Sequence, residues 1–140
     1  MKIKKNKTYI IAEIGINHEG SFKNAIKLIR EAAISGADAV KFQIFKPETL
    51  ASKESQKTND QKKRTKKKES LYQMWKRMEF TLLQWKKLKS LSKKLKLDFI
   101  SSVFDKESFE LSKKINLSAY KVASSDLTDV KLLTDLSFQK

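Results

Sequence analysis

The sequence of 140 residues contains no cysteine, a single proline and three glycines. Without cysteine, the chain has no disulfide framework, no cysteine-based zinc site and no thiol nucleophile. No apolar run approaches the roughly 20 residues that span a bilayer, and none follows the charged N-terminus, so we expect neither a membrane span nor a cleaved secretory signal. We therefore expect one domain, located in the cytoplasm.

Negative charge is scarce, because 16 acidic residues face 31 basic ones and the formal net charge is +15. Hydrophobic residues make up 39% of the chain, which is enough to build a core. Only Arg30, Arg64 and Arg77 are arginines, the residue type that favours bidentate phosphate contacts and base readout. The remaining positive charge is scattered lysine, which is typical of a solvated surface, so we expect no nucleic-acid partner.

The densest positive charge lies in the basic run at residues 62–68, within a polar segment at residues 48–70. This segment shows no apolar periodicity and is predicted to be a long polar loop. The basic run contains no aromatic residue on which a base stacks. A polyanion-binding module remains the alternative interpretation of this segment.

The rest of the chain alternates between short apolar segments and helical patterns. Strands are predicted at residues 9–14, 37–45, 97–103 and 119–123, and helices after Ser21, from Leu71, after Asp105, and after Thr128 or Asp129. This order predicts an α/β fold with parallel strands joined by right-handed crossovers.

The helix from Leu71 carries the strongest pattern. Its apolar stripe, at spacings of three and four, consists of Leu71, Met74, Trp75, Met78, Leu82, Trp85, Leu88, Leu91 and Leu95. This stripe predicts one long amphipathic helix packed on a core. A helix lying on a membrane surface is the alternative, although we expect no membrane partner.

Polar residues interrupt or follow the predicted strands. They are Glu13, Lys41, Gln43, Ser101, Ser102, Lys121, Ser124, Ser125 and Asp126. Because side chains alternate along a strand, Lys41 and Gln43 share one face. A buried ammonium needs a partner or a ligand, so lysines in two parallel strands predict an anion site at the strand ends. A structural ion pair between one lysine and Glu13 is the alternative.

The single histidine, His18, lies in the predicted loop after the first strand. A lone loop histidine is usually a surface or hydrogen-bonding residue, and one histidine does not make a metal site.

Three blocks of sequence resemble the N-acetylneuraminate (sialic acid) synthase family, which includes the legionaminate and pseudaminate synthases. The blocks are residues 11–20 (IAEIGINHEG), 36–43 (GADAVKFQ) and 120–126 (YKVASSD). Residues 101–105 read SSVFD where the family usually has Ser-Thr-Pro-Phe-Asp. Ser102 keeps a hydroxyl there, whereas Val103 replaces the proline that stiffens the turn.

The resemblance implies the fold of a TIM (β/α)₈ barrel followed by a small antifreeze-like domain. A complete barrel takes about 250 residues, so residues 1–140 are expected to supply the N-terminal half, about four βα units. The second half barrel and the antifreeze-like domain are expected to be absent. The full-length enzymes of the family are expected to be homodimers.

The implied reaction condenses phosphoenolpyruvate with an N-acylated hexosamine, such as N-acetylmannosamine, into a nine-carbon 2-keto acid and phosphate. A divalent metal, Mn²⁺ or Mg²⁺, is expected for the complete enzyme, with its two histidine ligands outside this chain. The resemblance makes Glu13 and Lys121 the catalytic residues. It assigns phosphoenolpyruvate binding to Lys41, Ser102, Lys121, Ser124 and Ser125, and the substrate pocket to Asn17, Gln43, Phe104 and Asp126, the last also orienting Lys121. An inactive relic or one half of a split enzyme is the alternative.

Overall fold

A computed structural model of the chain describes residues 6–65 and 68–138. Four strands and seven helices follow one another in these residues. They are β1 (Ile11–Gly15), α1 (Phe22–Ile34), β2 (Ala39–Ile44), α2 (Pro47–Leu50), α3 (Asn59–Thr65), α4 (Leu71–Met78), α5 (Leu82–Lys94), β3 (Asp98–Val103), α6 (Lys106–Ile115), β4 (Ala119–Lys121) and α7 (Val130–Ser137). A 3₁₀ turn at Ser124–Asp126 lies between β4 and α7.

The four strands form one parallel sheet in the order β1-β2-β3-β4. Strands that are consecutive in the chain are therefore neighbours in the sheet, and helices form the connections between them. Consecutive parallel neighbours of this kind are the arrangement of a (β/α) barrel, in which eight such units close the sheet. The predicted α/β fold with four βα units, half of such a barrel, is confirmed.

The hydrophobic core lies between the sheet and the helices. Phe42 of β2 and Phe99 of β3 are fully buried and stack with ring centroids 5.2 Å apart. Trp85 of α5 meets Phe42 edge-on at 5.6 Å. Burying one large apolar side chain stabilises a fold by about 1.5–3 kcal/mol, so this aromatic cluster fixes α5 on the sheet.

Polar caps set the beginnings of the helices. The Ser21 hydroxyl accepts a hydrogen bond from the Asn24 amide at the start of α1, as predicted. Asp105 caps α6 in the same way and thereby confirms the predicted start of that helix. At α7, where the sequence left two candidates, Asp129 is the cap, because its carboxylate accepts from the Leu132 amide.

The prediction of one helix from Leu71 to Leu95 is wrong, because the chain forms α4 and α5 with a break at residues 79–81. Glu79 and Thr81 have extended backbones, and Phe80 between them is buried in the core. Thr81 caps α5, its hydroxyl accepting from the Gln84 amide while the Gln84 side chain accepts from the Thr81 amide. The Thr-x-x-Gln pattern is therefore the signal that marks the break.

The apolar stripe itself packs inward as predicted, since Met74, Met78, Trp85 and Leu88 are all buried. Among the residues that the structure describes, no helix is both long and apolar enough to cross a membrane.

The prediction that residues 48–70 are a loop throughout is also wrong. Pro47, which ends the strand as expected, is the first residue of α2, and α3 occupies Asn59–Thr65. Extended and irregular backbone separates these short helices, and the Leu71 amide donates to the Ser55 carbonyl oxygen. Of the basic run at residues 62–68, Lys66 and Lys67 lie outside the described residues.

We predict that Thr81→Ala destabilises the chain by about 1 kcal/mol, because the amides at the start of α5 lose their acceptor. Thr128→Ala is the matched control, since Thr128 is also an exposed threonine before a helix but Asp129 caps that helix. Urea unfolding measures both variants. Equal free energies of unfolding for the two variants would contradict the importance of this cap.

Candidate functional site

The strand register brings five of the predicted site residues to one face of the sheet. Glu13 lies opposite Lys41, Gln43 lies opposite Ser102, and Ser102 lies opposite Lys121. Register partners in parallel strands present their side chains on the same side, and residues two apart in a strand do so as well. These five side chains therefore share the face that points away from the core helices.

Lys41 has two partners on this face. Its Nζ lies 2.7 Å from Oε2 of Glu13 and donates a hydrogen bond of 3.3 Å to the Ser102 hydroxyl. The Lys41 side chain is only 13% exposed, whereas that of Glu13 is 52% exposed. The structural ion pair that the sequence left open is thus present. It does not exclude an anion site, because an ammonium has three donors and these contacts use two.

Lys121 ends β4 and is exposed. In the part of the chain that the structure describes, no hydrogen bond or ion pair to its side chain is found. Neighbouring strands lie about 5 Å apart, so Lys121 and Ser102 begin side by side. Ser102 thus has two lysine neighbours, Lys41 through a hydrogen bond to its hydroxyl and Lys121 as its register partner in β4. Such a group of donors suits a small anion with several oxygen atoms.

Ser124, Ser125 and Asp126 form the 3₁₀ turn that follows β4. Both serines are exposed, and the Ser125 hydroxyl donates to Oδ1 of Asp126 at 2.7 Å. Oδ2 of Asp126 is buried and has no hydrogen-bond partner among residues 6–65 and 68–138. The predicted contact of Asp126 with Lys121 is therefore not found within these ranges, where Asp126 instead pairs with its own neighbour.

The remaining two predicted residues lie on loops at the same end of the strands. Asn17 is exposed in the turn after β1, and its backbone N–H donates to the Ile14 carbonyl oxygen. Phe104 directly follows β3 and packs on the small apolar cluster that includes Phe45 and Met74. The structure places Phe104 in this packing role, and a role in lining the substrate pocket stays a prediction.

His18 is fully buried, so the expectation of a surface histidine is wrong and that of a hydrogen-bonding histidine is confirmed. Its Nδ1 accepts from the Gly20 amide at 3.0 Å, and its ring lies 4.4 Å from that of Phe80. Burial lowers the pKa of His18 to about 4. The neutral ring faces the aromatic core rather than the Lys41 side of the sheet.

A charged cluster that sequence reasoning missed holds the loop after β1. Arg77 binds the Glu69 carboxylate with two nitrogens and donates to the Glu19 carbonyl oxygen at 2.6 Å. The buried Lys57 ammonium lies 3.9 Å from the same carboxylate. A side chain at Gly20 would approach the Arg77 carbonyl oxygen to 2.2 Å, so this contact requires glycine.

The described residues do not provide a metal centre by themselves, since no group of three histidine, cysteine or carboxylate side chains converges within them. Within residues 6–65 and 68–138, Glu13 is the single carboxylate that pairs with Lys41, and His18 faces the core.

The fold and the site together define a (β/α)-barrel protein with charged groups at the carboxyl ends of its strands, where the ligand sites of such barrels lie. Comparison with known proteins gives the particular family. The chain belongs to the NeuB family, whose sequence model matches residues 28–140. The family predicted from the three sequence blocks is thereby confirmed.

Individual relatives agree with this assignment. The chain is 40% identical over 131 residues to the N,N'-diacetyllegionaminic acid synthase of Campylobacter jejuni, covering 94% of this chain and 39% of the relative. It is 30% identical over 135 residues to a pseudaminic acid synthase of Campylobacter jejuni, covering 96% of this chain and 39% of that protein. The chain thus spans 39% of the length of each of these relatives.

A solved structure shows the same fold. The N-acetylneuraminic acid synthetase from Leptospira borgpetersenii, crystallised in complex with citrate, superposes with a TM-score of 0.72 at 30% sequence identity. The match covers 91% of this chain and 40% of that chain.

We predict that stability falls in mild acid because of His18. Its pKa is about 4 in the folded chain and ordinarily 6.5, so its contribution is complete above pH 6.5 and is lost as the pH falls towards 4. A shift of this size corresponds to about 3 kcal/mol.

Urea unfolding between pH 7.5 and about 4 measures this loss. In His18→Asn, where an amide oxygen replaces the Nδ1 acceptor, the same pH range should cost much less stability. An identical pH dependence in the two proteins would show that His18 is not responsible.

Proposed function

We propose that this chain forms the N-terminal half of the catalytic barrel of a nonulosonate synthase, which condenses phosphoenolpyruvate with an N-acylated hexosamine. The observation that carries the proposal is the group of Lys41, Ser102 and Lys121 on one face of the sheet in a member of the NeuB family. The names of the relatives, synthases of legionaminic and pseudaminic acid, support this class of product.

Phosphoenolpyruvate carries a phosphate ester and a carboxylate on the same carbon, which suits two ammonium groups separated by a hydroxyl. In the proposed complex, Lys41 and Ser102 bind one anionic group and Lys121 binds the other. Ser124 and Ser125, which follow β4, offer further hydroxyl donors. Fixed charges of this kind also stabilise the charge that develops on the leaving phosphate.

In the proposed reaction, the methylene carbon of phosphoenolpyruvate attacks the sugar aldehyde and forms the new carbon–carbon bond. The aldehyde oxygen takes up a proton and becomes a hydroxyl. Water then adds to the cationic carbon and loses one proton, which balances the proton taken up by the aldehyde oxygen. The bond between that carbon and the ester oxygen then breaks while the new hydroxyl gives its proton to the departing phosphate, which leaves the 2-keto acid.

Glu13 is the proposed proton-handling group of this reaction. Its carboxylate is half exposed, contacts Lys41, and stands at the strand end where the sugar would meet phosphoenolpyruvate. Asn17 and Gln43 are proposed to orient sugar hydroxyls beside it. A divalent metal would polarise the aldehyde, but the described residues do not fit such an ion, and no step is assigned to it. The cytoplasmic location and the homodimer also stay predictions.

We predict that the chain binds phosphoenolpyruvate, and that Lys41→Ala and Lys121→Ala each weaken binding about tenfold or more through the loss of a charge-assisted contact. Lys27→Ala is the matched control, because Lys27 is an exposed lysine of α1. NMR titration with phosphoenolpyruvate measures all four proteins. Equal weakening in the Lys27 variant would show that the effect comes from the overall charge of the chain. Unchanged binding in both site variants would refute the proposed phosphoenolpyruvate site.

A second prediction addresses the alternative of an inactive half. The four-stranded sheet provides one wall of a barrel, so we expect this chain alone to bind phosphoenolpyruvate without turning it over. The assay follows phosphate release with phosphoenolpyruvate, Mn²⁺ and N-acetylmannosamine. Phosphate release that depends on the sugar and disappears in Lys121→Ala would show instead that the chain is a complete catalyst.

A further inference from the structure

Strand β1 is irregular at the point where it presents Glu13. Glu13 pairs with Lys41, but the next register pair joins Gly15 to Phe42, so Ile14 is an extra residue in β1. This is a β-bulge, a feature that is common beside active sites, where it changes the direction of a side chain. Gly15 has a φ of +53°, in the left-handed region that glycine adopts without strain.

The missing side chain of Gly15 leaves a space that the Glu13 carboxylate borders. A Cβ atom added to Gly15 would lie 3.1 Å from Oε1 of Glu13 and 3.7 Å from Nε2 of Gln43. The first distance is shorter than ordinary van der Waals contact, so the carboxylate, at the end of a half-exposed side chain, would have to shift by a few tenths of an ångström. Its other oxygen, Oε2, is the atom 2.7 Å from the Lys41 ammonium.

We infer that Gly15 is a positioning residue: its bulge and its missing side chain seat the Glu13 carboxylate on the Lys41 ammonium. This inference rests on the proposed function, because it describes how the charge of Lys41 is balanced before a substrate anion binds. Lys41 is largely buried and needs a counter-charge when no anion is bound. Glu13, half exposed, supplies that charge from the solvent side.

The contact between Glu13 and Lys41 affects substrate binding. An incoming phosphate or carboxylate meets a Lys41 whose charge Glu13 already balances, so part of its attraction is cancelled. Removing or displacing the Glu13 carboxylate therefore tightens the binding of phosphoenolpyruvate. Glu13→Gln should lower its dissociation constant by up to about fivefold, as expected for the loss of a partly exposed ion pair. Gly15→Ala, which only shifts the carboxylate, should lower it in the same direction by a smaller factor.

A double-mutant cycle on the full chain tests whether Gly15 acts through Glu13. NMR titration with phosphoenolpyruvate gives the dissociation constants of the unaltered chain, Gly15→Ala, Glu13→Gln and the double variant. We expect Gly15→Ala to have no further effect once Glu13 is glutamine. An equal effect of Gly15→Ala in both backgrounds, or none in the unaltered chain, would overturn the inference.

Gly36→Ala is the matched control for backbone strain. Gly36 also has a positive φ, +80°, but an added Cβ would meet nothing within 4 Å. This variant should leave the dissociation constant unchanged. Glu31→Gln, which removes an exposed carboxylate from α1, controls for net charge and should also leave it unchanged. Tighter binding in either control would overturn the inference.

Solvent exchange of the Lys41 ammonium protons, measured by NMR, tests the effect of Gly15 on the contact between Glu13 and Lys41 without any ligand. Exchange should accelerate in Gly15→Ala and in Gly15→Asn, a residue that tolerates positive φ, but not in Gly36→Ala. Unchanged exchange in both Gly15 variants would overturn the inference. Failure of the unaltered chain to bind phosphoenolpyruvate would refute the proposed function alone, because the exchange measurement still decides whether Gly15 seats Glu13.

Discussion

The alternation of side chains along β2 and β3 is the constraint on which the rest of the structure depends. Val40, Phe42 and Ile44 point into the aromatic core, which forces Lys41 and Gln43 onto the opposite face. Because the strands are parallel and in consecutive order, the same alternation continues across the sheet. A shift of one residue in β2 or β3 would turn Lys41 or Asp98 towards the core and expose Phe42 or Phe99, so packing on one face fixes the chemistry on the other.

A lysine in the middle of a sheet is stable only with partners, and Lys41 shows how a site and a structural ion pair coexist. Glu13 and the Ser102 hydroxyl satisfy two of its donors while one side of the site stays open. Removal of one partner from a mostly buried pair is usually costly, because the other charge is left without compensation. The half-exposed position of Glu13 lessens that cost, since water can solvate the Glu13 carboxylate when a substrate anion replaces it beside Lys41.

Local sequence signals predicted the strands, the caps at Ser21 and Asp105, and the face shared by Lys41 and Gln43, because each depends on residues a few positions apart. The pair of Glu13 and Lys41 was one of two alternatives, whereas the long-range contacts of His18 and Arg77 escaped prediction. His18 is buried because Phe80, distant in sequence, covers its ring, and Phe80 reaches the core only through the break before α5. The local spacing of apolar residues carries no information about which residues far apart in sequence come into contact.

The contacts around Arg77 explain how loops at the strand ends acquire a fixed shape. Arg77 joins Glu69, which precedes α4, to the backbone of Glu19 in the loop after β1. The same loop directly follows Gly15, the last residue of β1, and therefore adjoins the bulge beside Glu13. Precise sites need supporting contacts behind the residues that touch a ligand. In this chain that support comes from Arg77 of α4 together with Lys57 and Glu69, which lie in the segment predicted to be a polar loop, and it holds the loop that follows β1.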